Sequence, residues 1–421
     1  VSTSALVAWA MAGTIVVLLV VIWSIKRHRD PRLRVECDAG IAELMPTLAG
    51  LTLGHAVAGN AIEVHENGAY FDALLAEMGA ARRSLHFETY LWKDGVLARR
   101  VADVLAERAR AGVAVRVLLD ASGGRRMGRE VECRLGEAGC RLQWFHPFDW
   151  RHLGVLNERT HRKMAIVDGR TAFVGGHCIT DDWLGDAEDH RHFADLSIRL
   201  TGPAVAGVQA AFAENWIGRT GEMFAGDDVF PPLAPTGTAS VHVAYVKPEG
   251  SAPAVKLLHH AAICFARERL WIQNPYFIPE TEAVDALAEA VARGVDVRVL
   301  VPAVGGSDNP MVQHAGHWLF ERLLRGGVRI FEYPHTLLHQ KVMTIDGAWC
   351  AIGSSNFDDR SFETNDEITL GVLDAATTRR LDAVFEKYAA RATELRLEQW
   401  RRRGLGLRLK EGAAYLVNEV L

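Results

Sequence analysis

His161-Arg162-Lys163-Met164-Ala165-Ile166-Val167-Asp168-Gly169 and His339-Gln340-Lys341-Val342-Met343-Thr344-Ile345-Asp346-Gly347 carry one pattern twice. In each copy lysine follows histidine by two residues, aspartate by seven and a further glycine (Gly175, Gly353) by fourteen. The apolar run between lysine and aspartate has the length and side-chain type of a buried strand, and the Asp-Gly after it is a turn signal. Side chains two apart on a strand share a face, so each copy offers an imidazole beside an ammonium. A single match of this kind arises easily by chance; two at equivalent places in one chain do not. Only eight lysines stand among the 47 Lys and Arg residues, and two of them fill these slots. That points to a need for a compact, flexible ammonium there.

The pairing extends on both sides. Arg83-Ser84-Leu85-His86-Phe87-Glu88-Thr89-Tyr90 resembles Glu268-Arg269-Leu270-Trp271-Ile272-Gln273-Asn274-Pro275-Tyr276. Gly112-Val113-Ala114-Val115-Arg116-Val117-Leu118 matches Gly294-Val295-Asp296-Val297-Arg298-Val299-Leu300, and a glycine pair follows each. Helical patterns lie between these strand-like runs, so the chain is a duplicated α/β protein. The expected fold is two tandem halves related by a pseudo-twofold axis, each a mixed central sheet flanked by helices, behind one N-terminal transmembrane helix. The expected boundaries are an anchor with its basic flank over 1–29, a connector over 30–60, a first half over 61–230, a linker over 231–240, a second half over 241–393 and a basic amphipathic tail over 394–421. Proline and glycine in Pro231–Gly237 mark the linker. The tail, with Trp400, Arg401, Arg402 and Arg403, is either a lipid-surface helix or a solvated terminal helix.

Ala5–Ile25 contains no charged residue and is followed by Lys26-Arg27-His28-Arg29. As a helix it would be roughly 30 Å long, enough to cross a bilayer core. The basic flank predicts a cytoplasmic catalytic part. A cleaved signal peptide would need a basic start and a small-residue cleavage site, neither of which stands here. The 421 residues carry a formal net charge of −5, which argues against a broad nucleic-acid binder. The six cysteines form no C-x-x-C pair, which argues against a zinc site or disulfide framework and for a reducing compartment.

If the halves pack about a twofold axis, the two histidine–lysine faces form one site. Two ammonium groups and two imidazoles suit phosphodiester chemistry without a metal: lysines hold the phosphoryl oxygens, one histidine attacks phosphorus, the other moves the proton. A nucleophilic histidine needs a carboxylate to fix its tautomer. Asp195 and Glu367 lie after the two motifs, each just before a strand-like run, and are the candidate orienting acids; a surface carboxylate at a strand start is the alternative. His190-x-His192 and His314-x-x-His317 invite a metal reading, but no third ligand accompanies them in the sequence, and no metal or other cofactor is expected. Trp144, Phe145, Phe148 and Trp150 line an acyl groove, dip into the bilayer interface or pack in the core.

These residues resemble the phospholipase D superfamily, and within it the bacterial cardiolipin synthases, over about residues 80–390. The likeness also rests on Leu156–Lys163, Gly175-Gly176, Gln273–Pro279 and Asn356–Phe362 with Asn365 and Glu367. It implies that two phosphatidylglycerols, as donor and acceptor, give cardiolipin and glycerol through a phosphatidyl-histidine. It further implies His161 as nucleophile with Lys163, and His339 as general acid/base with Lys341. Asn356, Ser354 and Gly176 would bind phosphate, and the motif aspartates Asp168 and Asp346 are more often structural in such enzymes. The expected setting is the bacterial inner membrane, with an anionic surface and no nucleic acid as partner. Departures are Cys178 where the first motif usually has asparagine, with His177 as a possible substitute grip, and His192-Phe193-Ala194 without the family's Trp-Arg pair. A single expected span also departs from the two of many cardiolipin synthases. Hydrolysis to phosphatidic acid, a nuclease and an inactive membrane scaffold are the rival readings.

Overall fold

The computed structural model describes residues 2–26, 40–148, 150, 158–245 and 253–416. The chain divides into two units, Val1–Arg34 and Val35–Leu421. In the first, a helix runs over Thr3–Lys26. Among the described residues no helix is long and apolar enough to cross a membrane, so the expected transmembrane helix is not supported. The basic residues at 27–29 and the Leu156-Asn157 part of the family stretch lie outside the described residues.

The second unit is built on one sheet of 15 strands. The first half supplies β1 (Ala56–Glu66), β2 (Ser84–Thr89), β3 (Ala114–Asp120), β4 (Arg141–Phe145), β5 (Met164–Val167), β6 (Thr171–Gly175) and β7 (Leu196–Thr201). The second supplies β8 (Ala239–Ala244), β9 (Arg269–Gln273), β10 (Asp296–Pro302), β11 (Arg329–Tyr333), β12 (Val342–Ile345), β13 (Trp349–Gly353) and β14 (Thr369–Leu373), with β15 (Thr393–Glu394) added at its edge. The order is β1-β7-β6-β5-β2-β3-β4 in one half and β8-β14-β13-β12-β9-β10-β11 in the other, so the topology is duplicated strand for strand. Each half is mixed: β2, β3 and β4 are parallel, while β5 and β6 run antiparallel. Antiparallel pairing of β1 with β8 joins the halves. Thus β1 and the preceding helix Ile41–Leu51 begin inside the stretch read as connector, and β8 begins inside the stretch read as linker.

Three large cores fill the unit. One packs the outer helices of the first half against β2 and β3, and one does the same for β9 and β10. The third is shared: Val208, Phe212 and Trp216 of the helix Val205–Thr220 and Leu381, Val384 and Phe385 of the helix Ala375–Ala389 meet the inner faces of both halves. The shared core makes the halves one body, and it fixes the two motif strands relative to one another.

The turn after each motif strand is the same. Asp168 and Gly169 have φ +52° and +62°; Asp346 and Gly347 have +52° and +63°. Two left-handed central residues form the type I′ hairpin turn, whose twist matches that of the strands. Each aspartate then reaches to the start of a neighbouring strand. Asp168 accepts the backbone N–H groups of Arg82, Arg83 and Ser84, and Asp346 those of Arg267, Glu268 and Arg269, at 2.7–3.3 Å.

The tail folds back on the second half. Trp400 is buried, and the Arg403 guanidinium lies 3.4 Å from its ring centre and pairs with buried Glu411. Arg401 pairs with Glu321 at 3.2 Å. Three residues named as the tail's amphipathic surface are therefore engaged with protein.

Candidate active site

His161 and His339, one from each half, line a single cavity of about 250 Å³. The backbone delivers them by an exchange between halves. The His161 N–H donates to the Asp366 carbonyl at 2.9 Å, and the His339 N–H donates to the Ala194 carbonyl at 2.7 Å. The residue after each accepting carbonyl is an acid, and it binds the same histidine. His161 Nδ1 lies 2.8 Å from Glu367 Oε1, and His339 Nδ1 lies 2.7 Å from Asp195 Oδ2. The pairing is therefore crossed: each histidine is oriented by a carboxylate of the other half. Both carboxylates are buried. With Nδ1 carrying the proton toward the acid, Nε2 is left as the reactive nitrogen.

The two acids are braced differently. Ser354 donates its hydroxyl to Glu367, and that oxygen in turn accepts the Ile368 N–H at 3.0 Å. Gly176 stands at the equivalent place in the first half, fifteen residues after its histidine. A Cβ on Gly176 would come within 2.3 Å of Asp195 Oδ1, so only glycine leaves room for the carboxylate. Its N–H donates to the Leu196 carbonyl. The serine hydroxyl and the glycine N–H, both expected to bind phosphate, are engaged in these contacts, and both residues shape the seats of the orienting acids. Asp195 gains instead a hydrogen bond from Trp183 Nε1 at 2.7 Å, a residue that no sequence signal marked.

Lys163 and Lys341 are buried beside the cavity and do not themselves line it. Lys163 Nζ donates to the His161 carbonyl at 2.6 Å, and Lys341 Nζ to the His339 carbonyl at 2.8 Å. An ammonium has three donors, and these bonds use one each. Lys341 Nζ also lies 3.0 Å from His339 Nε2.

Burial and the two ammonium groups set the charge state. Burial first, then Lys163, lowers the His161 pKa to about 4, against the raising effect of Glu367. Burial and both lysines hold His339 well below its ordinary value. Burial lowers Lys341 to about 8 and also lowers Lys163. Burial alone would raise Glu367, but His161 and Lys163 outweigh it and keep the carboxyl below its usual range. Asp195 is raised, by burial above all. Both imidazoles are thus neutral near pH 7, as a nucleophile requires.

Tyr90, Tyr276, Cys178 and Asn356 line the same cavity. Tyr90 lies edge-on to His161, with ring centres 5.2 Å apart, and 5.5 Å from Lys163 Nζ. Tyr90 and Tyr276 close the first pair of duplicated sequence stretches, a signal that would have found them. Buried Asn356 Oδ1 has no partner among the described residues. Cys178 occupies the equivalent position, and burial raises its thiol pKa. His177 does not substitute for it, because its ring is buried between Ser197 Oγ at 2.7 Å and the Asn67 carbonyl at 3.0 Å. Asp168 and Asp346 are not brought to the cavity. Arg159 joins this cavity to a second of about 520 Å³, which Trp144 and Phe148 line; Phe145 is in the core, and Trp150 is exposed.

The third ligand missing from the His314–His317 pair in the sequence exists in space. Glu411 joins them with ligand atoms all within 4.8 Å. Its carboxylate already pairs with Arg403, and His317 Nε2 with Glu332 at 2.7 Å, so protein charges occupy the cluster.

Two α/β halves that share one histidine-lined cavity define the phospholipase D class of fold. The phosphatidylserine synthase of Haemophilus influenzae Rd KW20 has this fold, with a TM-score of 0.67 at 14% identity, covering 86% of this chain and 95% of that one. A family model described as cardiolipin synthase, PLD-like domain, matches residues 74–214 and 260–389. Cardiolipin synthase 2 of Bacillus anthracis is 32% identical over 354 residues, covering 83% of this chain and 68% of that protein. The major cardiolipin synthase ClsA of Bacillus subtilis is 30% identical over 366 residues, covering 86% and 76%. The chain belongs to the PLD-like cardiolipin synthase family.

Proposed function

We propose that this protein is a phosphatidyltransferase that makes cardiolipin from two molecules of phosphatidylglycerol. The observation that carries the reading is the crossed pair of histidine–carboxylate contacts around one cavity. The Nε2 lone pair of His161 attacks phosphorus, and the bond from phosphorus to the glycerol oxygen breaks. His339, protonated as the anionic substrate arrives, gives its proton to that oxygen, and glycerol leaves. The hydroxyl of a second phosphatidylglycerol then yields its proton to His339 and attacks phosphorus. The P–N bond breaks, and both histidines return to their starting states. Lys163 and Lys341 offset the growing charge on the non-bridging oxygens. Asn356, which lines the cavity and whose carbonyl oxygen has no partner among the described residues, is suited to accept a hydrogen bond from a substrate hydroxyl. Glu367 is held ionised, which favours His161 as the nucleophile. Donor and acceptor are both bilayer lipids, so the enzyme works at an anionic inner-membrane surface, on the cytoplasmic side that the basic run after Ile25 favours.

The test is to supply vesicles of headgroup-labelled phosphatidylglycerol and separate the products. Cardiolipin and free glycerol in equal amounts are expected; phosphatidic acid alone would overturn the transferase reading. Rapid quench and peptide mapping should locate the phosphoryl group on His161. Finding it on His339 would reverse the two roles.

A further inference from the structure

The C-terminal helix Leu405–Leu416 has two dissimilar faces. Its inner face is pinned. Ala414 packs with Ile278, Val312, Ala315 and Leu319, and Glu411 pairs with Arg403 and lies 3.6 Å from His317 Nδ1. The outer face carries Leu405, Leu409 and Leu416, which are 72%, 66% and 81% exposed. Their spacings of four and seven place them on one stripe. Gly412 lies on the stripe side, where a Cβ would meet the Trp318 indole at 2.9 Å, so that ring packs beside the stripe. Trp318 and Met311 of the neighbouring helix Pro310–Arg325, each 49% exposed, add further apolar surface from that helix. Arg402 and Lys410, both exposed, supply the flanking positive charge, joined by exposed Arg408, which also lies 3.5 Å from Glu321.

The position of this surface is informative. Ile278 and Val312, against which Ala414 packs, also line the catalytic cavity. The helix that carries the stripe therefore stands one layer of side chains from that cavity. The cavity, at about 250 Å³, is smaller than the roughly 300–1,000 Å³ of sites that enclose a drug-sized ligand. It has room for a phosphodiester headgroup, and the acyl chains of a bound lipid are left to the bilayer or to the adjoining cavity of about 520 Å³.

We infer that the Leu405–Leu409–Leu416 stripe is a docking surface for an anionic lipid bilayer, which lays the mouth of the catalytic cavity on the membrane. Leucines enter the headgroup boundary while the flanking cations meet lipid phosphates, as in interfacial amphipathic helices. The arginines at 401 and 403 belong instead to the inner clamp. The inference rests on the lipid reading of the cavity, but docking is measured without turnover.

The full chain carrying Leu409→Cys is labelled there with a polarity-sensitive fluorophore. Vesicles of phosphatidylglycerol should shift its emission to the blue, and vesicles of pure phosphatidylcholine should shift it much less. In parallel, Leu409→Glu should lose at least tenfold of its activity on vesicle phosphatidylglycerol and keep its activity on a short-chain analogue dispersed as monomers. No shift with anionic vesicles overturns the inference. Equal losses on both substrates overturn it too, as does a change from dimer to monomer in Leu409→Glu, which would make the face a contact between copies. A blue shift in a protein that turns over neither substrate supports docking and sinks the phosphatidyltransferase reading alone.

Discussion

Glu367 acts on His161 through its 2.8 Å bond to Nδ1. Glu367→Gln keeps the size of the side chain and removes the charge that fixes the tautomer. Replacing the carboxylate of a histidine pair in this way costs about 10³- to 10⁴-fold in kcat in related arrangements, and a loss of that order with little change in KM is expected for glycerol release. A loss below tenfold would mean that the contact is not used in turnover. The lysines set the pH range. An amine is cationic below its pKa and loses its charge as pH rises through it. Lys341, at about 8, therefore predicts an alkaline limb, a further fall of kcat/KM above pH 8 beyond the decline as His339 loses its proton, since this ratio reports the free enzyme. His161, at about 4, is neutral above that value, so no acid limb is expected near the ordinary histidine value of 6.5. A kcat/KM profile in detergent-dispersed substrate checks both limbs. Lys341→Arg, whose charge does not titrate in this range, should remove the alkaline limb in whatever activity remains.

The hairpin that follows each motif separates two roles that the sequence pattern merges. Asp346 ends the His-Lys-Asp spacing, yet its carboxylate clasps three backbone N–H groups at the start of β9. Asp346→Ala leaves these donors to water or to nothing, at a cost of about 1–3 kcal/mol in stability. The denaturation midpoint should fall accordingly, while kcat per folded molecule stays within a few-fold of the parent; a collapse of kcat at unchanged stability would return the aspartate to the chemistry. Strand type and hairpin turn were legible here because apolar runs and Asp-Gly act locally. The clasp was not, because its partners lie 77 to 79 residues upstream. The contacts of Ser354 and Gly176 with the orienting acids were not legible for the same reason. A serine and a glycine beside a histidine motif suggest an anion grip, and only the tertiary neighbours Glu367 and Asp195 show what they hold.

At the scale of the molecule, duplication was legible in the sequence, and so was the union of both motifs in one site. The crossing of the acids was not, because each acid follows the motif of its own half in the chain and spacing has no knowledge of the axis between halves. The shared core and the β1–β8 joint supply that axis. Crossing has a kinetic consequence. If His161 attacks and His339 protonates the leaving group, then Asp195, a first-half residue, serves the proton, and Glu367, a second-half residue, serves the attack. A leaving group that needs no proton separates the two. On phosphatidylglycerol, Asp195→Asn and Glu367→Gln should both be slow, since glycerol must be protonated as it departs. On a phosphatidyl p-nitrophenyl ester, whose phenolate leaves without a proton, Asp195→Asn should recover a burst of p-nitrophenol close to that of the parent, at one equivalent per enzyme. Glu367→Gln should show no burst, because its nucleophile is still misoriented. A burst restored in Glu367→Gln and absent in Asp195→Asn would exchange the two histidines. Restoration in neither would separate the carboxylates from both steps.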